Sequence, residues 1–313
     1  MSPGRDAIVA TAQESIARGS KSFAAASRLF DRQTRERAWL LYAWCRRCDD
    51  LADGQDHGHA TAAVIDPQAR LAEITDKTEQ ALSGQVVGDP AFDALRIVAA
   101  ETAMPPAFAR DLIAGFALDA EDWRPRSGAD LMRYCYHVAG VVGCMMAVVM
   151  GVSPDDEATL DRACDLGLAF QLANIMRDVE EDDRAGRCYI PLEWLAEMDI
   201  PPGQHMKPPF RSRLTVLVAR MGALAQAHET SARRGTPALS GRSAWAVLAA
   251  AGIYGGIARK VIARGDRAWD HRVTTSAAEK LKLIVRAAGE SAARGRLYPA
   301  APRDSALWTR PRG

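Results

Sequence analysis

Apolar residues recur at intervals of three and four along almost the whole chain, and strand-length runs of Val, Ile and Thr are scarce. The pattern predicts helices near residues 5–17, 23–30, 33–53, 67–83, 90–101, 105–122, 129–150, 156–183, 191–198, 208–235, 240–265 and 275–295. Their starts are punctuated. Asp31 and Thr34 can cap the helix that begins near Gln33. Pro67, Pro90 and Pro105 stand at first-turn positions, where a missing N–H leaves no bond unmade. The stretches GQDHGHATAAVID, after the third helix, and IPPGQHMKPPF, from Ile200 to Phe210, read as loops. The fold expectation is one all-α domain over residues 1–313. Its core spans about 15–295, its helices surround a central space, and 296–313 form an irregular basic tail.

Composition narrows the function classes. Hydrophobic residues make up 48% of the 313, enough for a sizeable core. Forty Lys and Arg against 39 Asp and Glu leave a formal charge of +1, which offers no nucleic-acid footprint. The start MSPGRDAIVATAQ is interrupted by charge too often to read as a secretory signal. The longest apolar stretch, Val138 to Val152, is short of the roughly 20 residues that span a bilayer, so it reads as a core helix. Six cysteines in a chain of this length suggest reduced thiols and a cytoplasmic setting. The C-x-x-C of Cys45 and Cys48 lies inside a predicted helix with no second pair to complete a zinc site. His57 and His59 read as loop residues and His137 as a core residue; no GxGxxG fingerprint is present.

Two acidic clusters change the picture. In LYAWCRRCDDLAD, Asp49 and Asp53 are four apart and so share a helix face with Arg46 and Tyr42. In QLANIMRDVEEDDRAG, Asp178 and Asp182 repeat that spacing. Asn174, Gln171 and Gly167 continue the stripe backwards, and Arg177 borders it. One D-x-x-x-D usually marks a solvated helix end. Two of them, each ending an apolar helix and opposing its dipole, are not there for helix stability. If both face one cavity, their like charges need cations. Oxygen-only donors suit Mg²⁺ or Mn²⁺, which complete their shells with water and phosphate oxygens. The clusters therefore read as a metal-mediated grip on a diphosphate, with Arg46 and Arg177 adding planar donors. In GSKSF, Ser20, Lys21 and Ser22 can donate to phosphate, although an ordinary helix cap explains them as well.

The stretches GSKSFAAASRLF, LYAWCRRCDDLADG, YCYHVAGVVGCMM and LGLAFQLANIMRDVEEDDRAGRCYIP, in this order and spacing, resemble the squalene/phytoene synthase family from about Ser15 to the Arg294 region. The resemblance implies an all-α isoprenoid synthase fold and head-to-head joining of two prenyl diphosphates. It implies a cluster of two or three Mg²⁺ or Mn²⁺ ions on Asp49, Asp53, Asp178 and Asp182, assisted by Asn174. Ser20, Lys21, Ser22, Arg46, Arg177 and Tyr42 would hold diphosphate, with Gln171 beside them. Tyr134, Val138 and Val142 would line the prenyl channel, and Tyr189 and Tyr254 would contact substrate. Asp50, between the first two aspartates, would support them.

The implied substrate is two molecules of geranylgeranyl diphosphate, joined to a C40 hydrocarbon without NADPH; the alternative is a C30 squalene or dehydrosqualene synthase using farnesyl diphosphate. A cyclase that ionises a single diphosphate and an inactive helical scaffold are the competing classes. Chemistry through allylic cations needs apolar walls that exclude water. Tyr134, Val138, Val142 and Met145 supply one on a single helical stripe, Phe23 and Phe170 can face cations, and Ala139, Gly140, Gly143 and Gly167 leave room for a long chain. From Ile284 to Gly313, arginines outnumber acids, so peripheral contact with the inner face of an anionic membrane is a further expectation.

Overall fold

The computed structural model describes residues 4–53, 66–121 and 123–312, excepting the side chains of residues 21, 22, 25 and 53. It contains helices and no strand among the described residues. The chain divides into two compact units, Met1–Glu121 with Cys144–Glu157, and Asp122–Gly143 with Ala158–Gly313.

The first unit holds α1 (Arg5–Gly19), α2 (Lys21–Ser27), α3 (Arg32–Asp53), α4 (Pro67–Leu82), α5 (Pro90–Thr102) and α6 (Pro106–Ala120). Asp31, Asp66 and Asp89 each accept a backbone N–H at the head of a helix, so the caps are built from side chains adjacent in sequence. Helices α1, α3 and α5 pack together, and α4 packs on α5 and α6. Trp44 is fully buried and its indole N–H reaches Thr78 Oγ1 at 3.3 Å, which pins α3 to α4. Arg5 and Arg37 both hold Glu101, tying α1 and α3 to the end of α5.

The second unit begins with α7 (Gly128–Cys135) and a π-turn (Tyr136–Gly140); α8 (Val141–Val149) follows, its residues from Cys144 onward belonging to the first unit. The second unit continues with α9 (Glu157–Arg184), α10 (Leu192–Glu197), α11 (Arg211–Arg233), α12 (Gly241–Arg264), α13 (Ala277–Ala292) and α14 (Arg294–Leu297). Helix α9 crosses the π-turn region backbone to backbone. A Cβ on Gly167 would lie 2.2 Å from the carbonyl oxygen of Ala139, and one on Gly143 would lie 2.3 Å from that of Ala163. This corrects one expectation. Gly143 and Gly167 leave no room for a substrate chain, because a neighbouring helix fills the space they vacate. The π-turn corrects another. An inserted residue breaks the 3.6 period, so Met145 is fully buried while Met146 stands half-buried like Val138 and Val142.

Helices α12 and α13 form a hairpin, fastened by Trp245 Nε1 to Ile284 O at 2.8 Å and by Lys260 to Glu279. Gly128–Val149 and Gly241–Arg267 are long and apolar enough to cross a bilayer by composition; the first is mostly buried inside the protein. The tail after Tyr298 is irregular, and three of its arginines are engaged with the helix core. Arg303, Arg310 and Arg312 are paired with Asp165 and Asp161 of α9. All six cysteines are free thiols.

Candidate active site

The first acidic cluster is organised by one arginine. Arg46 on α3 reaches Asp49 Oδ2 at 2.8 Å, one turn ahead, and Asp50 Oδ1 at 2.8 Å, one residue further. Asp50 is nearly buried and Asp49 is about two-fifths exposed, so Asp50 anchors the guanidinium while Asp49 keeps oxygen surface available. The GSKSF stretch stands against the same helix. A Cβ on Gly19 would lie 2.4 Å from the Tyr42 hydroxyl and 3.7 Å from Arg46 Cδ, so glycine there lets Tyr42 and Arg46 sit against the end of α1. Phe23 packs its ring on Tyr42 with centroids 5.6 Å apart. Ser20 Oγ accepts the Phe23 N–H at 3.2 Å, the ordinary cap. Burial pushes the Tyr42 hydroxyl up to about 12, with the Arg46 charge opposing, so it stays protonated as a donor. The side chains of Lys21, Ser22 and Asp53 lie outside the described residues, as do His57 and His59.

The second cluster lies on α9 in the other unit. Gln171, Asn174, Arg177, Asp178 and Asp182 are all half-buried, while Leu172, Ala173, Ile175, Met176 and Val179 between them are buried. The polar stripe is thus a partly covered face of a helix whose other side is core. Arg177 Nε donates to Asp178 Oδ1 at 2.7 Å. A second guanidinium, from Arg272 in the segment before α13, reaches the same carboxylate at 3.0 Å and Glu181 at 3.3 Å. Burial alone would raise the Asp178 pKa, but Arg177 and Arg272 outweigh it and hold the group below the ordinary carboxylate range. Glu181 moves the other way, raised by burial and by the Asp178 charge against the pull of Arg272. Tyr254 on α12 stacks on Phe170 with centroids 4.0 Å apart, and burial raises its hydroxyl pKa.

An aromatic wall stands in the same unit. Tyr134 is buried between Trp123, at 5.8 Å, and Tyr189, at 4.8 Å, both nearly parallel to it. Val138 and Val142 are half-buried on the π-turn and the start of α8. The structure therefore groups Tyr42, Arg46 and Asp49 in one unit. In the other it groups Arg177 with Asp178 on the stripe, and Tyr134 with Tyr189. Arg272 and Trp123 join these groups without any signal in sequence. Each is an isolated residue in an irregular segment, outside every periodic pattern.

The donor set suits a hard divalent cation. It consists of carboxylates and one carboxamide, with no thiolate or imidazole among the candidates. Among the described residues no three His, Cys, Asp or Glu side chains form a metal-holding group by themselves. Mg²⁺ usually takes one or two carboxylates and completes its shell with water and phosphate. Cys45 and Cys48 offer no alternative. Burial pushes the Cys45 thiol up to about 12 and raises that of Cys48 as well, so neither is a thiolate ligand.

The profile of the squalene/phytoene synthase family matches residues 16–279. A 15-cis-phytoene synthase of Enterobacter agglomerans is 48% identical over 295 residues, 94% of this chain and 99% of that protein. One of Pantoea ananas is 46% identical over 303 residues, covering 96% and 97%. Among solved structures, a dehydrosqualene synthase in complex with ligand superposes with a TM-score of 0.81 at 27% identity, covering 91% of this chain and 96% of that one. A squalene synthase from Alicyclobacillus acidocaldarius, at 22% identity and a TM-score of 0.73, shares the fold.

Proposed function

The chain belongs to the squalene/phytoene synthase family, and we propose that it joins two molecules of geranylgeranyl diphosphate head to head, through a cyclopropyl diphosphate, to give 15-cis-phytoene. It is a prenyltransferase of isoprenoid and carotenoid biosynthesis. The observation that carries the mechanistic reading is Asp178: a half-buried carboxylate held ionised between two guanidiniums on a covered polar stripe. The high identity to 15-cis-phytoene synthases over nearly full length favours the C40 product over the C30 one.

The chemistry asks for three things. The allylic C–O bond of the first substrate must break, leaving a cation and diphosphate. The cation must then be attacked by the 2,3 double bond of the second chain, with loss of a proton. A second loss of diphosphate, ring rearrangement and a second proton loss give the hydrocarbon; no hydride enters, so NADPH is not consumed. Asp49, Asp53, Asn174, Asp178 and Asp182 are the residues that would hold Mg²⁺ or Mn²⁺. Bound there, the cations would neutralise charge developing on the leaving diphosphate. Arg46 orients Asp49, and Arg177 and Arg272 orient Asp178; their positive charge would attract phosphate oxygens. Tyr42 and Tyr254, kept protonated by burial, can donate hydrogen bonds without adding charge. Tyr134, Tyr189 and Trp123 form a stacked aromatic wall that would exclude water from the cationic stages.

The test is product identity. Purified protein is incubated with Mg²⁺ and either geranylgeranyl or farnesyl diphosphate, without NADPH, and the hydrocarbon is identified by mass and chromatography. A C40 triene from the first substrate is expected. A C30 hydrocarbon only, or a product containing one prenyl unit, overturns the proposal.

A further inference from the structure

The tail that reads as loose and basic is fastened to α9 by a buried ionic cluster. Arg303 spans both oxygens of Asp165, with Nε to Oδ2 at 2.9 Å and Nη2 to Oδ1 at 2.6 Å. Asp165 has no exposed surface; it also accepts from Ser231 Oγ at 2.6 Å and lies 2.7 Å from His228 Nδ1. One turn earlier on α9, Asp161 takes Arg310 at 3.1 Å and Arg312 at 3.0 and 2.8 Å. Between these aspartates, Arg162 donates to the backbone of Ser231 and of Ala301, which ties the tail back to α11. Further along the tail, Trp308 packs on Tyr136 with centroids 5.7 Å apart. Tyr136 is the first residue of the π-turn that carries Val138.

The tail thus grips two elements that also cross each other. Their crossing is made at Gly167 against the Ala139 carbonyl and at Gly143 against the Ala163 carbonyl. Ordinary helix pairs fix their crossing angle by side-chain ridges set into grooves. Here the two backbones touch directly, so a contact that bears on both elements bears on their relative position.

We propose that Tyr298–Arg312 is a positioning strap. Arg303, Arg310 and Arg312 hold the first half of α9, Trp308 bears on the π-turn, and together they fix the wall carrying Val138 and Val142 relative to the helix carrying Asn174, Asp178 and Asp182. None of the four side chains is assigned a contact with substrate. The assignment of wall and stripe to the reaction rests on the proposed function; the strap's mechanical role does not.

The experiment uses the full-length chain with Trp308→Ala and Trp308→Phe. In the substrate-free protein, Trp308→Ala is expected to speed amide hydrogen exchange at residues 136–143 while the other helices keep their protection. In the phytoene assay it should lower kcat about tenfold, a typical scale for a small misplacement of reacting groups. KM should change by less than about twofold, because the diphosphate-holding side chains are untouched. Trp308→Phe, which keeps a ring against Tyr136, should recover most of both. Unchanged exchange at the π-turn overturns the strap, and so does a fall in thermal stability with kcat intact. Should Trp308→Ala fail to fold, Arg312→Gln takes its place, since Asp161 keeps Arg310; faster exchange at residues 157–168 is expected, and none overturns the proposal. Exchange needs no substrate. A wild-type protein that made some other product would therefore defeat the functional reading while leaving the strap measurable.

Discussion

Helix α9 carries two pairs of aspartates at the same spacing, Asp161 with Asp165 in its first half and Asp178 with Asp182 in its second. The pairs have different fates. Asp165 is fully buried and Asp161 nearly so, and both are neutralised by arginines of the chain's own tail. Asp178 is only half-buried, and its two arginines are positioned from beside it and from the segment before α13. Spacing puts two carboxylates on one face of a helix; burial and the source of the counter-charge decide what the face is for. A pair saturated from within is a fastening. A pair left partly open, on a covered polar stripe, is suited to exchange ligands.

The comparison can be broken most severely at Asp178. Asp178→Ala should lower kcat by roughly 10³-fold, the scale for losing one charge-stabilising group in a preorganised site, with the circular dichroism spectrum unchanged. Asp165→Asn should do the reverse, costing about 3–5 kcal/mol of stability because Arg303 is left without its carboxylate. A denaturant titration measures that cost, and EDTA should not change it. Arg272→Ala comes next, with an expected loss of about 10²-fold in kcat that Arg272→Lys recovers only in part, since a point charge does not replace the planar fork. Asp50→Asn, which loosens Arg46 without removing Asp49, should cost about tenfold, as for other groups that orient a ligand. An undiminished rate in Arg272→Ala would remove that residue from the site.

The smallest effect is in pH. Glu181 is raised and Asp178 lowered, so on acidification the proton goes to Glu181, above its ordinary 4.5, before Asp178 takes one below 3.8. The signs oppose. The stabilising contribution of Asp178 is complete above its unfolded pKa and is lost as pH falls through the lower folded value, whereas ionised Glu181 weakens the fold and regains stability as it protonates. Glu181→Gln should therefore leave stability at neutral pH unchanged or slightly higher, by less than about 1 kcal/mol given its exposure. Carboxyl NMR titration checks the order of protonation.

Much of this was legible in sequence. The helices follow from period and from caps such as Asp31 and Asp89, whose partners are a few residues away. The polar stripe from Gln171 to Asp182 follows from spacing within one helix. What escaped depends on contacts across long separations or on broken period. Arg272 meets Asp178 across 94 residues, and no local pattern marks it. The glycines of the π-turn region read as space because sequence shows the missing side chain but not the helix that occupies its place. The pairing of the tail arginines with Asp161 and Asp165 has no local signal, because the partners lie more than 130 residues apart. Asp161 and Asp165 have the same spacing as Asp178 and Asp182; burial and the arginines of the tail set them apart.

The most direct test of that separation is metal uptake. Mn²⁺ is titrated into the protein with an unreactive thio analogue of geranylgeranyl diphosphate and followed by electron paramagnetic resonance. Diphosphate-dependent uptake is expected in the wild type and in Asp161→Asn, and its loss in Asp178→Asn. Undiminished uptake in Asp178→Asn, or loss confined to Asp161→Asn, would contradict the account.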